Sequence, residues 1–306
     1  MKLINQKHEI WKQGEGVYGM WEHIARCTRV CYQVENQRPN ESAESFCRRT
    51  ILRHSPIKSK SNHLAMTEHG TVYLTFLAHN HQYDFYTKNP YSKVVNDGDA
   101  YYVTTNLRVL IENDRLDDLT YITVPSKHKR RITVSFITSV GISRELNRHR
   151  CHSISEESTR YCNYTKDRFG NELTFIIPSG ADLNEGRYYM TMINEELYCI
   201  GDGFLVPYFD KDECKFIQRC IGVEEDYTYF ILKKWSPQQA RDILPLCLKT
   251  QVIHTAYADD WEEFFNLRTV GISGPPHPMM KELTKPLMKE FVDLGYIKTE
   301  FSKYCE

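Results

Sequence analysis

The sequence predicts an α+β fold, an antiparallel or mixed central sheet flanked by long helices. Strand-like and helical patterns segregate along the chain more than they alternate, which favours this class over a doubly wound sheet. With 306 residues and 41% apolar content, the chain can bury a sizeable core. No repeat, low-complexity tract or linker divides it, so one domain over residues 1–306 is expected.

Residues 18–31 place Met20, Ile24, Cys27 and Cys31 at helical spacing, predicting a helix with one buried face. Residues 34–62 are polar and basic, with a short helix around 41–54. Residues 71–77 alternate like a strand. Residues 80–100, rich in Asn, Asp, Tyr and Gly, read as an exposed excursion, and 104–112 as a helix. Residues 132–138 form the clearest strand, leading through Gly141 into a helix over 142–150. Residues 173–177 read as a strand stopped by Pro178. The last third reads as mostly helix. Ser236-Pro237-Gln238-Gln239 is a helix start with a serine cap and proline at the first helical position. That helix is expected to run through Leu244-Pro245-Leu246 with a kink at the proline. An amphipathic piece over 261–268, a turn-rich loop over 271–278 and a last helix near 279–294 complete the chain.

A net charge of -1 gives no global pull towards nucleic acid or membrane, so any anion site must be local. Ten scattered cysteines form no C-x-x-C pair, which argues against a zinc ribbon and for reduced thiols in a cytoplasmic protein. Residues 1–7 turn polar at once, unlike a secretory leader. No apolar run approaches the roughly 18 residues of a membrane span. Gly14-Glu15-Gly16-Val17-Tyr18-Gly19 matches G-x-G-x-x-G in letters. It follows polar residues 6–13 rather than a hydrophobic strand, so it reads as a flexible turn. Cys151, His152 and Cys162 fit no structural zinc spacing, and no metal is expected. The basic run 127–131 reads as a solvated edge, with a nucleic-acid patch as its alternative.

One segment carries chemistry. Arg148-His149-Arg150, seven residues, Ser158 and then Thr159-Arg160-Tyr161 concentrate arginines, His149 and His152, Glu156 and Glu157, and Ser153, Ser155 and Ser158. Arginine forks match phosphate or carboxylate oxygens two at a time. This much cationic capacity suits two anionic ligands meeting, such as a nucleotide and a phosphate-bearing cofactor. A ligand-free cluster of surface ion pairs is the plainer alternative.

The order R-H-R-x7-S with a following R-Y resembles the signature of the flavin-dependent thymidylate synthases. Four further pieces resemble the family in its order: residues 26–32 (RCTRVCY), residues 63–69 (HLAMTEH), Ala240-Arg241-Asp242-Ile243-Leu244-Pro245-Leu246 with Thr250, and Phe264-Phe265-Asn266-Leu267-Arg268. Together they span about half the chain, with residues 78–131 an insertion.

The resemblance implies the thymidylate synthase-complementing fold and reductive methylation of dUMP to dTMP. FAD is the implied cofactor, NADPH and methylenetetrahydrofolate the co-substrates, and a homotetramer with shared sites the assembly, with no membrane or nucleic-acid partner. It assigns FAD to His69, Arg148, His149, Arg150, Cys151, Ser155 and Glu156. It assigns dUMP to Glu145, Arg148, Glu156, Glu157, Ser158, Thr159, Arg160, Arg241 and Arg268. Ser158, as a hydrogen-bonding positioner, and Arg268, facing the uracil carbonyls, are the implied catalytic pair. The chain departs from the family pattern at three places. Ser155 stands for the usual Asn, Tyr257-Ala258-Asp259 for N-x-R, and residues 271–278 for A-Q-x-E-I-R. A same-fold flavoenzyme for a modified pyrimidine nucleotide and a non-catalytic nucleotide or nucleic-acid binder remain alternatives.

Overall fold

The chain opens with strands β1 (Lys2–Ile4) and β2 (Lys7–Trp11) and helix α1 (Gly16–Tyr32). This computed structural model describes residues 1–33, 38, 40–51, 64–193, 196–201, 204–207 and 212–305. Helix α2 (Ala43–Thr50), a short helical turn (Leu64–His69) and β3 (Thr71–Leu77) follow. Next come α3 (Tyr83–Lys88), β4 (Lys93–Asn96), β5 (Ala100–Asn106) and α4 (Leu107–Glu112). β6 (Arg131–Ser139), α5 (Val140–Leu146), β7 (Ser153–Glu156) and β8 (Thr174–Ile176) make the middle of the chain. β9 (Gly186–Arg187), β10 (Tyr189–Ile193), β11 (Glu196–Gly201) and β12 (Phe204–Pro207) precede the long helix α6 (Asp212–Leu232). The chain ends with α7 (Pro237–Ala240), β13 (Lys249–Tyr257), α8 (Ala258–Phe265) and α9 (Pro278–Asp293).

The α+β expectation holds. The central sheet has the order β2-β6-β13-β7, antiparallel throughout. Strand alternation gives its two faces different roles. Val134, Phe136 and Ala256 pack under Trp261, Phe264 and Phe265 of α8 and Leu287 and Phe291 of α9. Ile253 packs on the opposite side with Cys27 and Val30 of α1. A second sheet, β3-β5-β4, shares a core with α1, α2, α3 and α4. The β1-β8-β9 sheet packs with α6.

Several elements differ from expectation. Residues 80–100 carry α3 and β4 instead of an exposed excursion, and Tyr86 is fully buried, donating to Asp118 Oδ2 at 2.7 Å. Residues 104–106 belong to β5, as β-branched Val103-Thr104-Thr105 favours. Helix α4 starts only after Asn106, whose side chain caps it by accepting from Val109 N–H. α5 ends at Leu146, and short-range bonds from Arg148 N to Glu145 O and His149 N to Leu146 O curl the signature into a turn. The capping box at Ser236 forms, yet Leu244 is extended, as a residue before proline tends to be. The proline therefore ends that helix instead of kinking it. The supposedly helical last third hides β13, rich in Thr, Val and Ile, at the middle of the central sheet. The expected helix over 41–54 is observed at Ala43–Thr50; residues 52–54, like His63, lie outside the described residues.

The glycine motif is also corrected. Residues 7–11 do form a strand, and the motif opens α1. A Cβ on Gly19 would lie 2.1 Å from the Gly14 carbonyl carbon, so the motif is a close backbone contact, not a flexible turn. β2 pairs antiparallel with β6, outside any parallel β-α-β unit, so the dinucleotide reading finds no support there.

Candidate active site

β7 is an edge strand of the central sheet, and the turn before it carries the arginine-rich signature. Alternation along this segment decides which side chains face solvent. Arg148, Arg150 and Cys151 are exposed, and Arg148 and Arg150 form no ion pair among the described residues. His149 and His152 point inward and are buried.

A π-type turn (Asn266–Val270) after α8 presents Arg268 to the signature. Arg268 Nε donates to His149 Nε2 at 3.0 Å. Its Nη2 donates to Glu145 O at 2.9 Å, and its Nη1 to Glu145 Oε2 at 3.3 Å. Burial, then the adjacent Arg268 charge, pulls the His149 pKa down to about 4. His149 is therefore neutral near pH 7, with its proton on Nδ1 because Nε2 accepts.

Glu156 accepts from Asn147 Nδ2 at 2.9 Å and from Thr250 Oγ1 at 3.0 Å, so both carboxylate oxygens are oriented. Glu157 turns the other way and is buried. Lys249 Nζ lies 2.6 Å from one of its oxygens, and Tyr164 donates to the other at 3.1 Å. Ser158 donates its backbone N–H to Cys31 O at 3.0 Å, while its half-buried hydroxyl makes no hydrogen bond to the described protein. Arg241 Nη1 donates to Thr159 Oγ1 at 3.3 Å. Arg160 is exposed and lies over Tyr161, whose ring stands 5.2 Å from that of Tyr32.

Two other predicted residues lie in the core. Ser155 is buried and donates to Cys27 O at 3.3 Å. His69 is fully buried. Its Nδ1 is 2.8 Å from Thr255 Oγ1, which is 2.7 Å from Thr133 Oγ1, which is 2.9 Å from His23 Nε2. The register Thr255↔Thr133 sets that contact across the sheet. On the other face, His152 and His254 meet through Nδ1 atoms 3.0 Å apart, with Trp261 against His152. Burial lowers the pKa of His69 and His152 to about 3 and of His23 to about 4, and also lowers that of His254.

Beside the signature lies a cleft of about 430 Å³. Its lining includes Arg150, Cys151 and Ser153 of the signature segment, Tyr91, Lys93 and Arg108, and Arg131, Tyr257 and Asp260. Arg268, Glu156, Ser158 and Arg241 do not line it. Asp259, standing where the family resemblance places an arginine, pairs with Lys93 Nζ at 2.5 Å. The basic run is thus only partly a solvated edge. Lys127 pairs with Asp97, whereas Arg131 is largely enclosed beside the cleft.

The structure therefore gathers Glu145, His149 and Arg268 into one cluster, and Thr159 with Arg241 into another. Arg150 and Cys151 stand at the cleft. Asn147, Lys93, Arg131 and the Thr133–Thr255 bridge were not foreseen. Asn147 and the bridge depend on pairings between distant strands or across a turn. Arg131 had one sequence signal, its place at the junction of a basic run and the clearest strand.

No helix of the described residues is long and apolar enough to cross a membrane. Among the described residues, no group of three or more His, Cys, Asp or Glu side chains could hold a metal ion.

Residues 128–292 match the family model described as thymidylate synthase complementing protein. Among curated proteins none matches. Among solved structures, the chain is similar to a UMP/dUMP methylase PolB from Streptomyces cacaoi bound with 5-Br UMP, at 14% identity and a TM-score of 0.44. That likeness covers 99% of this chain and 97% of that one. The same methylase bound with 5-Br dUMP gives 13% identity and a TM-score of 0.42, covering 96% and 93%.

Proposed function

The chain belongs to the thymidylate synthase complementing protein family, and from that premise we propose that it reductively methylates dUMP to dTMP with bound FAD. Methylenetetrahydrofolate is the proposed carbon donor and NADPH the reductant. The active unit is proposed to be a homotetramer, and residues 78–131 an insertion in one family domain.

The observation that carries this reading is the bond between Arg268 and His149. Two motifs 119 positions apart meet at 3.0 Å, and the neutral imidazole fixes the guanidinium plane. The backbone oxygen of Glu145 holds the other end. N–H groups of Nη1 and Nη2 are left to meet a ligand. A guanidinium fixed this way stabilises negative charge on a pyrimidine oxygen as it develops, with little reorganisation. Glu156, held by Asn147 and Thr250, is oriented to accept from a pyrimidine N–H or a ribose hydroxyl. Ser158 offers a free hydroxyl, and Arg241, anchored on Thr159, suits the phosphate.

The donors present fit a flavin nucleotide. Exposed Arg150 lines the cleft and exposed Arg148 stands in the same turn, both without an ion pair among the described residues, and Tyr91 and Tyr257 offer aromatic surface. When bound, FAD supplies the redox chemistry, so the protein need only position and polarise. The substrate-side groups sit at the surface outside the cleft, which suits a site completed by a neighbouring subunit.

The test is anaerobic reduction of the FAD-loaded protein by NADPH with and without dUMP, then nucleotide analysis after methylenetetrahydrofolate is added. Formation of dTMP is expected. A protein that gains no flavin absorbance with FAD would overturn the reading.

A further inference from the structure

We propose that Arg131 is the fixed counter-charge for a phosphate group of the bound flavin nucleotide, and that Tyr91 and Lys93 of the insertion form the outer wall of that phosphate cleft. The proposal rests on the flavin reading above.

Arg131 is the first residue of β6 and lines the cleft, with its Nη2 bonded to Ser153 of the same lining. Three of its five N–H groups bond neutral acceptors, which leaves Nε–H and one Nη2 N–H for a ligand. Nη1 donates to Glu68 O at 3.0 Å and Thr71 Oγ1 at 3.3 Å, and Nη2 to Ser153 Oγ at 3.2 Å. No carboxylate among the described residues stands within ion-pair distance. Enclosure lowers its pKa from the usual guanidinium value. A largely enclosed cation without a counter-ion is costly, and a bound anion removes that cost.

The other charges at the cleft are mostly cancelled. Arg108 is held by Glu68 and Glu112, and Lys93 by Asp259. Arg108, Lys93, Arg131 and Arg150 thus stand against Glu68, Glu112, Asp259 and Asp260, so the cleft is neutral overall, and Arg131 is its enclosed cation without an ion pair among the described residues. The neutral acceptors fix the guanidinium plane, and a fixed fork suits phosphate oxygens.

The wall is tied to the central sheet. Tyr257 Oη donates towards Thr104 O at 2.7 Å and Tyr91 O at 3.1 Å. Tyr91 itself is 67% exposed, free to lie against a planar ring at the lip. The insertion thereby acquires a role in binding: its Lys93 neutralises Asp259, which would otherwise repel a phosphate.

The experiment is a binding titration of FAD, FMN and riboflavin to the full chain, read by flavin fluorescence, for wild type, Arg131→Gln and Lys93→Glu. Arg131→Gln is expected to weaken FAD by about tenfold or more while changing riboflavin less than about twofold, as loss of a charge-assisted contact to phosphate would. Equal losses for riboflavin and FAD, or an FAD loss below about threefold, would overturn the proposal. Should Arg131→Gln fail to fold, Lys93→Glu carries the same test. It alters a partly exposed pair worth little to stability, and must weaken FAD selectively. Pyrophosphate alone, read by thermal shift, separates this proposal from the flavin reading. If wild type binds no flavin yet is stabilised by pyrophosphate, and the variants are not, the anion site stands and the flavin assignment falls. If neither flavin nor pyrophosphate binds, both fall.

Discussion

Arg148 and Arg150 stand exposed without an ion pair among the described residues, while His149 between them is buried against Arg268. The same contrast extends across the central sheet. Its interior holds neutral histidines that bond to one another or to threonine: His152 with His254 on one face, and His69 through Thr255 and Thr133 to His23 on the other. The rim holds permanent cations with unused donors. Burial can be tolerated by a group that can shed its proton, so imidazoles line the inside. Guanidinium cannot shed its charge, so arginine stays at the rim unless an anion is supplied. Arg131 is the exception to that division, enclosed beside the cleft without an ion pair among the described residues.

The largest effect is expected from removing Arg268, the cation that buried His149 orients. Arg268→Ala is expected to lower turnover by at least about 100-fold, the scale of a lost charge-stabilising donor, with little change in thermal midpoint. Steady-state kinetics beside a melting curve checks it, and near-normal turnover would remove the assigned role. His149→Gln, which keeps an acceptor, should lose less than His149→Ala. A purely packing role for His149 would make the two variants equal.

Acid should separate the two regions. The unfolded chain ionises each histidine near pH 6.5, whereas folded His23 and His149 do so only at about 4, and His69 and His152 at about 3. These are lowered values, so the stability they contribute is present above about pH 6.5 and is lost progressively as pH falls towards 4. Rim arginines stay charged throughout. Urea midpoints should therefore fall between pH 7 and 5, and constant midpoints would contradict the neutral interior.

Cutting the buried chain is expected to do less. Thr255→Val leaves His69 Nδ1 and Thr133 Oγ1 without their partner and should cost about 1–3 kcal/mol, the penalty of unsatisfied buried polar groups. Denaturant unfolding measures it, and a neutral result would mean that the site repacks or takes up water. The smallest effect belongs to the rim. Ser158→Cys should keep the fold with stability within about 0.5 kcal/mol of wild type, as expected where a side chain has no protein partner. An insoluble variant would place that side chain in the core.

The helices that flank the central sheet and one of its interior strands were legible in the sequence. Helical spacing identified α1, α8 and α9, and the run 132–138 identified β6, because their burial patterns are periodic and local. β13 was missed since a strand buried on both faces loses its alternation. Residues 80–100 were misread because their polar composition masks a hairpin whose partner, β3, lies more than twenty residues away. The signature was legible as a segment, but its inward and outward members were not. Ser155 and Glu157 face the core or half-buried Lys249, and only the end of α5 at Leu146 and the pairing of β7 with β13 decide that. The Arg268–His149 bond has no local sequence sign. It exists because α8 packs on the face of the sheet from which His149 also reaches inward.

Whether the oriented Arg268 and the arginine rim serve one reductive methylation is decided by a single anaerobic turnover with reduced FAD, dUMP and methylenetetrahydrofolate labelled at the transferred carbon. The expected product is dTMP carrying the label in its methyl group, in an amount matching the flavin reoxidised. Unlabelled, unchanged dUMP from protein that holds both flavin and nucleotide would contradict it.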